Sequence, residues 1–193
     1  MRLLYIHGYN GDPYGSSYNF LKNACGDVHE LFTIDYNAES PRQAIKDIFK
    51  FVVENNIDCI IGTSLGGFLT MNLYGVSRIV VNPCWDPANE LYKIGYTGDN
   101  LVYKELLEEM TNTIDFEEKN LCSGVFATED ELLGDKYVCT FQKYFKNTSF
   151  VKGGHKISEE MANYIIKVIL PLHESEANDF VKKLKDQDNA PWL

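Results

Sequence analysis

The pentapeptide Gly62-Thr63-Ser64-Leu65-Gly66 sets one serine between two glycines at the spacing G-x-S-x-G. An apolar run over 57–61 precedes it and a segment of helical period over 65–74 follows, so Ser64 falls on a sharp strand-to-helix turn. Such a turn strains the backbone and projects the hydroxyl outward, which is the posture of a nucleophile. Side chains two residues before or after would collide across the turn, which accounts for Gly62 and Gly66, and Gly67 permits closer packing still. The helix that starts at Leu65 also aims backbone N–H groups at any anion held beside Ser64. A phosphate-binding loop is the competing glycine-rich motif. It needs a Gly-Lys-Ser/Thr ending that this stretch does not have.

A serine hydroxyl reacts slowly until a base takes its proton. The histidines are His7, His29, His155 and His173. His155 follows the last apolar run, in Gly153-Gly154-His155, where a flexible turn lets an imidazole reach back over the sheet edge; it is the candidate base. His29 lies near the start of an early strand, at the opposite end of a parallel sheet, and His173 sits at the margin of the C-terminal segment. The orienting acid belongs at another strand end, between serine and histidine in the chain. The stretch Ala127-Thr128-Glu129-Asp130-Glu131 offers three carboxylates there. Asp130 is the choice, with Glu129 and Glu131 as turn acids and Asp86 as an alternative after the preceding strand. The loop His7-Gly8-Tyr9-Asn10-Gly11 closes the first strand; Gly8 admits close backbone approach, and the N–H groups of Tyr9 and Leu65 are the candidate oxyanion donors.

These residues need strands and helices to hold them. Short apolar runs over 2–6, 28–34, 57–61, 79–82, 123–127 and 149–151 read as strands, several without polar alternation. Strands apolar on both sides belong to a sheet covered by helices on both faces. Helical period appears over 41–54, 65–74, 135–144 and 158–169, with Pro41 at a first turn and Ser158 as a cap. Strand–helix alternation implies right-handed crossovers and a mostly parallel sheet, an α/β fold. The residues over 83–120 need no strand and form a helical excursion, either a lid or a surface elaboration. A charged tail over 173–193 reads as a peripheral helix near 176–185 and a frayed end.

Composition narrows the function classes. The chain has 193 residues, 45% hydrophobic and 24% charged, which suits one soluble domain with its own core. Eighteen basic residues against 28 acidic ones give a net charge of −10, which disfavours nucleic acid and anionic membranes as partners. No apolar run is long enough to span a bilayer, and the opening residues do not form a secretory signal. Five scattered cysteines, without a CxxC or a histidine cluster, argue against a disulfide scaffold or zinc site and point to a reducing, cytoplasmic setting. Cys59, Cys122 and Cys139 lie in or beside apolar runs and read as buried thiols.

The motifs together resemble the α/β-hydrolase superfamily and, within it, the small bacterial YqiA-type esterases. The matching pieces are Leu4-Tyr5-Ile6-His7-Gly8-Tyr9-Asn10, Gly62-Thr63-Ser64-Leu65-Gly66-Gly67, Val80-Val81-Asn82-Pro83, Tyr96-Thr97-Gly98, Thr128-Glu129-Asp130-Glu131 and Gly153-Gly154-His155. They span residues 1–172 as a single domain. The resemblance implies a serine hydrolase of short-chain esters working without metal or organic cofactor, on a six-stranded sheet of order 2-1-3-4-5-6. The order Ser64…Asp130…His155 is that of α/β-hydrolases. With His155 as base, kcat/KM should rise as pH rises through histidine ionisation. Tyr9, Tyr14, Trp85, Tyr92 and Tyr96 are candidates to line a small pocket. A thioesterase with the same apparatus, or a non-catalytic binding protein on this fold, are the alternative readings.

Overall fold

In the computed structural model, which describes residues 1–115 and 117–172, the apolar runs form one six-stranded sheet. Its strands are β1 (Arg2–Ile6), β2 (Glu30–Thr33), β3 (Cys59–Thr63), β4 (Ser77–Val81), β5 (Cys122–Ala127) and β6 (Asn147–Val151). Every pairing is parallel and the order is β2-β1-β3-β4-β5-β6, as the sequence reading expects. The order reverses between β1 and β3, where Ile6 lies opposite Gly62, so the chain leaves both strands side by side. Crevices for ligands open at such reversals.

Helices cover both faces because the central strands are buried on both. One face carries α2 (Pro41–Glu54), α3 (Leu65–Met71), α5 (Leu101–Thr113) and α6 (Val138–Tyr144) over a core that includes Ile48, Phe68, Tyr103 and Phe141. The other carries α1 (Ser16–Cys25) and α7 (Glu159–Tyr164), the latter running into a π-helical turn, Ile165–Ile169. Helix α2 begins at Pro41 and buries Ala44, Ile48 and Val52, as its spacing predicts. Ser158 caps α7 by accepting from the Met161 N–H at 3.2 Å.

Three expectations need correction. Helix α1 is absent from the sequence reading because Ser, Tyr and Asn are weak helix formers; only the spacing of Ser17, Leu21 and Cys25, all buried, marks it. Strand β4 starts two residues earlier than read, because Arg78 interrupts the apolar run although its side chain is fully buried. Its guanidinium pairs with the Glu118 carboxylate and donates to the carbonyls of Met71, Leu73 and Glu118. Cys139, read as buried, is exposed, whereas burial pushes the Cys59 and Cys122 thiols up to about 12.

The excursion over 83–120 is docked on the body of the domain. It contains α4 (Pro87–Glu90) and α5, whose Tyr103, Leu106 and Met110 are buried and whose Glu105 and Glu109 pair with Arg42 of α2. Buried Glu90 accepts hydrogen bonds from Lys93 Nζ at 2.8 Å, from Tyr137 Oη at 2.6 Å and from Lys136 Nζ, tying α4 to the loop after β5. The tail over 173–193 and the helix expected near 176–185 lie outside the described residues. No described helix is long and apolar enough to cross a membrane.

Candidate active site

Strand β3 ends directly into α3, and Ser64 occupies the corner with φ 54° and ψ −117°, a backbone conformation that side chains other than glycine rarely adopt. Its N–H donates to the Val81 carbonyl at 3.0 Å, and its carbonyl accepts from the N–H groups of Cys84 at 3.0 Å and Phe68 at 3.1 Å. The corner explains the flanking glycines. A Cβ at Gly62 would lie 2.3 Å from Thr70 Oγ1 and 2.6 Å from the Gly66 carbonyl oxygen, a collision across the turn. Gly66 has a different reason from the one read: its Cβ would lie 2.3 Å from the carbonyl oxygens of Ile6 and His7, so α3 can sit against the end of β1 only if that position is bare.

His155 and Asp130 come together at the ends of the last two strands. His155 Nδ1 lies 3.0 Å from both carboxylate oxygens of Asp130, and the two side chains are 8% and 1% exposed. Burial alone raises the Asp130 carboxyl. The His155 ring and the N–H groups of Leu133 and Leu132 outweigh it and hold the carboxyl below its ordinary value. Of the competing acids, Glu131 accepts the backbone N–H of His155 at 2.9 Å rather than touching its ring, Glu129 is exposed, and Asp86 binds Asn89.

Ser64 and His155 line one cavity of about 380 Å³, together with Gly8, Tyr9, Ile94 and Leu132. The first-strand loop forms its wall: a Cβ on Gly8 would stand 3.1 Å from Ser64 Cβ. His7 is held as a brace for this loop. Its Nδ1–H donates to the Gly8 carbonyl at 2.8 Å, its Nε2 lies 3.2 Å from Asp35 Oδ1, and its ring stacks on Tyr36 at 4.7 Å. Tyr36 in turn donates its hydroxyl to the His7 carbonyl at 2.9 Å. Nothing in the local sequence around Asp35-Tyr36 marks this partnership, which joins two strand ends far apart in the chain.

Residues 2–169 match the model of an uncharacterised protein family, UPF0227. This chain belongs to UPF0227. No curated protein sequence matches it. Among solved structures the UPF0227 chain is similar to the esterase domain of a Rhodothermus marinus protein, with TM-score 0.65, 15% identity, and coverage of 92% of this chain and 86% of that one. It is similar to the monoacylglycerol lipase of Paleococcus ferrophilus, with TM-score 0.63, 14% identity, and coverage of 91% and 94%. It is also similar to the mouse α/β-hydrolase domain-containing protein 10, with TM-score 0.61, 15% identity, and coverage of 90% of each chain. The fold is therefore that of α/β-hydrolases.

The remaining expected site residues of the UPF0227 protein divide. Leu65 is buried as the first residue of α3, so its N–H has no partner within the helix, and Tyr9 lines the cavity. Of the five aromatics expected to line a pocket, only Tyr9 does so. Trp85 is buried against Tyr144 at 5.1 Å, Tyr96 is buried between Tyr9 and Tyr103, and Tyr14 and Tyr92 are exposed. Within the excursion, Ile94 reaches the cavity wall.

Proposed function

We propose that this UPF0227 protein is a serine esterase that hydrolyses short-chain carboxylic esters. The observation that carries the reading is the strained Ser64 sharing one small cavity with a histidine whose Nδ1 is held by a buried carboxylate. In this scheme Ser64 Oγ bonds to the ester carbonyl carbon while His155 Nε2 takes the hydroxyl proton, with Nδ1–H held by Asp130. The N–H groups of Tyr9 and Leu65 hold the oxyanion. The tetrahedral adduct collapses as His155 returns the proton to the leaving alcohol, which leaves an acyl-enzyme. A water then attacks the acyl carbon, His155 takes one of its protons, and the carboxylic acid departs as Ser64 is reprotonated. No step needs a metal or organic cofactor.

A cavity near the lower end of the range for small-molecule sites favours short acyl groups over long chains. The named neighbours, an esterase domain and a monoacylglycerol lipase, belong to the same reaction class. Free cysteines fit a reducing, cytoplasmic setting. The test is intact-mass labelling with a fluorophosphonate, which reports an activated serine without knowledge of the substrate. One adduct on the native chain and none on Ser64→Ala supports the reading, and an ester and thioester panel then sorts oxygen from sulfur leaving groups. A folded native chain that takes no adduct overturns it in favour of a binding protein.

A further inference from the structure

Asn82 follows the last residue of β4 at φ 44°, 2% exposed, and its side chain makes three hydrogen bonds to the backbone around the site. Its Oδ1 accepts the Ala127 N–H at 2.7 Å, at the end of β5, three residues before Asp130. Its Nδ2 donates to the carbonyls of His155 at 2.9 Å and Gly154 at 3.2 Å. The backbone on either side holds the nucleophile: the Val81 carbonyl accepts the Ser64 N–H, and the Cys84 N–H donates to the Ser64 carbonyl. Glu131 completes the grip on the base by accepting the His155 N–H at 2.9 Å, so both peptide groups of His155 are held by side chains.

We infer that Asn82 is a positioning residue that registers the base and the acid against the nucleophile, a role that rests on the serine-hydrolase reading above. The physical argument is one of linkage. Ser64, Asp130 and His155 leave three different strands, and β6 is an edge strand joined to the sheet through β5 alone. Without a tie from β4, the turn at Gly154 is held by β6 and by the segment after β5, through the Glu129 N–H on the Gly153 carbonyl and the Asp130 and Glu131 carboxylates, and neither of these carries Ser64. Asn82 ties the turn to the strand that also anchors Ser64. Asparagine suits the place because it accepts on one atom, donates twice on the other, and tolerates a positive φ.

Asn82→Gly keeps the backbone conformation and removes all three bonds. The expected result is a folded protein whose fluorophosphonate labelling at Ser64 slows on the order of 10²-fold, the loss typical of a small misplacement in a reacting pair. On any ester that is turned over, the loss should fall on kcat with KM little changed. The far-downfield proton resonance of His155 Nδ1–H, held by Asp130, should shift or broaden in the variant. A second variant, Asn82→Asp, keeps the acceptor but sets a buried carboxyl against two carbonyl oxygens. Neutral, it donates one bond; ionised, it repels, so the variant should gain a descending alkaline limb in its labelling rate that the native protein lacks. Native labelling rates at every pH in both folded variants, with an unchanged His155 resonance, overturn the inference. If the native protein itself takes no label, the esterase reading fails, and the His155 resonance alone judges the role of Asn82: unchanged in Asn82→Gly, it overturns the role, and displaced, it upholds it.

Discussion

Gly8 stands against Ser64 so closely that a methyl group on Gly8 would come within 3.1 Å of the serine Cβ and 3.7 Å of its hydroxyl oxygen. A contact at 3.1 Å forces the neighbour aside by a few tenths of an ångström, and the neighbour here is the proposed nucleophile. Gly8→Ala should therefore lower kcat/KM about 10–100-fold. The rest of the domain does not depend on the space, so the thermal midpoint should move by less than about 4 °C. Paired activity and melting measurements on the one variant test both halves.

Asp130 and Glu131 are neighbours with separate partners, the ring and the backbone of His155. Asp130→Asn presents an amide to Nδ1 and favours the wrong imidazole tautomer, and the serine-protease precedent gives a loss on the order of 10⁴ in kcat. Glu131→Gln keeps an oxygen for the His155 N–H and should cost less than about tenfold. Turnover of an activated ester by the two variants distinguishes them. The reverse ranking would make Glu131 the acid.

Much of this arrangement is legible in the chain because it is local. The Gly62–Gly66 pattern announces the corner at Ser64, and the Pro41 start and helical spacing of α2 give both its ends. What stays hidden depends on partners remote in sequence. Arg78 reads as an interruption because its acceptors are Glu118 and the carbonyls of an adjoining turn. Helix α1 is made mostly of weak helix formers and is held by its packing over the sheet. The roles of Asn82 and Tyr36 are satisfied by backbone atoms, which leave no mark in the identity of the partner residue.

Glu90 gives the fold a dependence on acid. Burial raises its carboxyl, but Lys136, Lys93 and Tyr137 outweigh that and lower it from 4.5 to about 2. A carboxyl depressed in the native state contributes its full stabilisation above the unfolded value and loses it as pH falls through the native one. The contribution should be complete above pH 4.5 and disappear between there and about 2. Urea midpoints at pH 7, 4 and 3 should fall more steeply for the native protein than for Glu90→Gln. Parallel declines would remove Glu90 as a source.

Arg78 makes a different prediction, since its charge is sealed in the core beside Glu118. Glu118→Ala strands that charge and removes the acceptor for the Gly75 N–H, which should cost about 3–5 kcal/mol in urea unfolding. Replacing both charges together, Arg78→Met with Glu118→Leu, should recover most of the loss, because a buried pair is seldom better than apolar residues of similar volume. A double variant as unstable as the single one would show that the carbonyl contacts of Arg78 dominate.

The edge position of β6 has a consequence for the order in which the molecule comes into being. During synthesis the N-terminal segments emerge first, so the strands β1 to β4 and the Ser64 segment leave the ribosome while β5, β6 and His155 are still inside it. His155 lies beyond β6, the strand that pairs with β5, and is among the last of the site residues to be made. A nascent chain that has exposed Ser64 thus has neither acid nor base to set beside it. Under the esterase reading, a product that stalls or is cut before His155 is chemically silent.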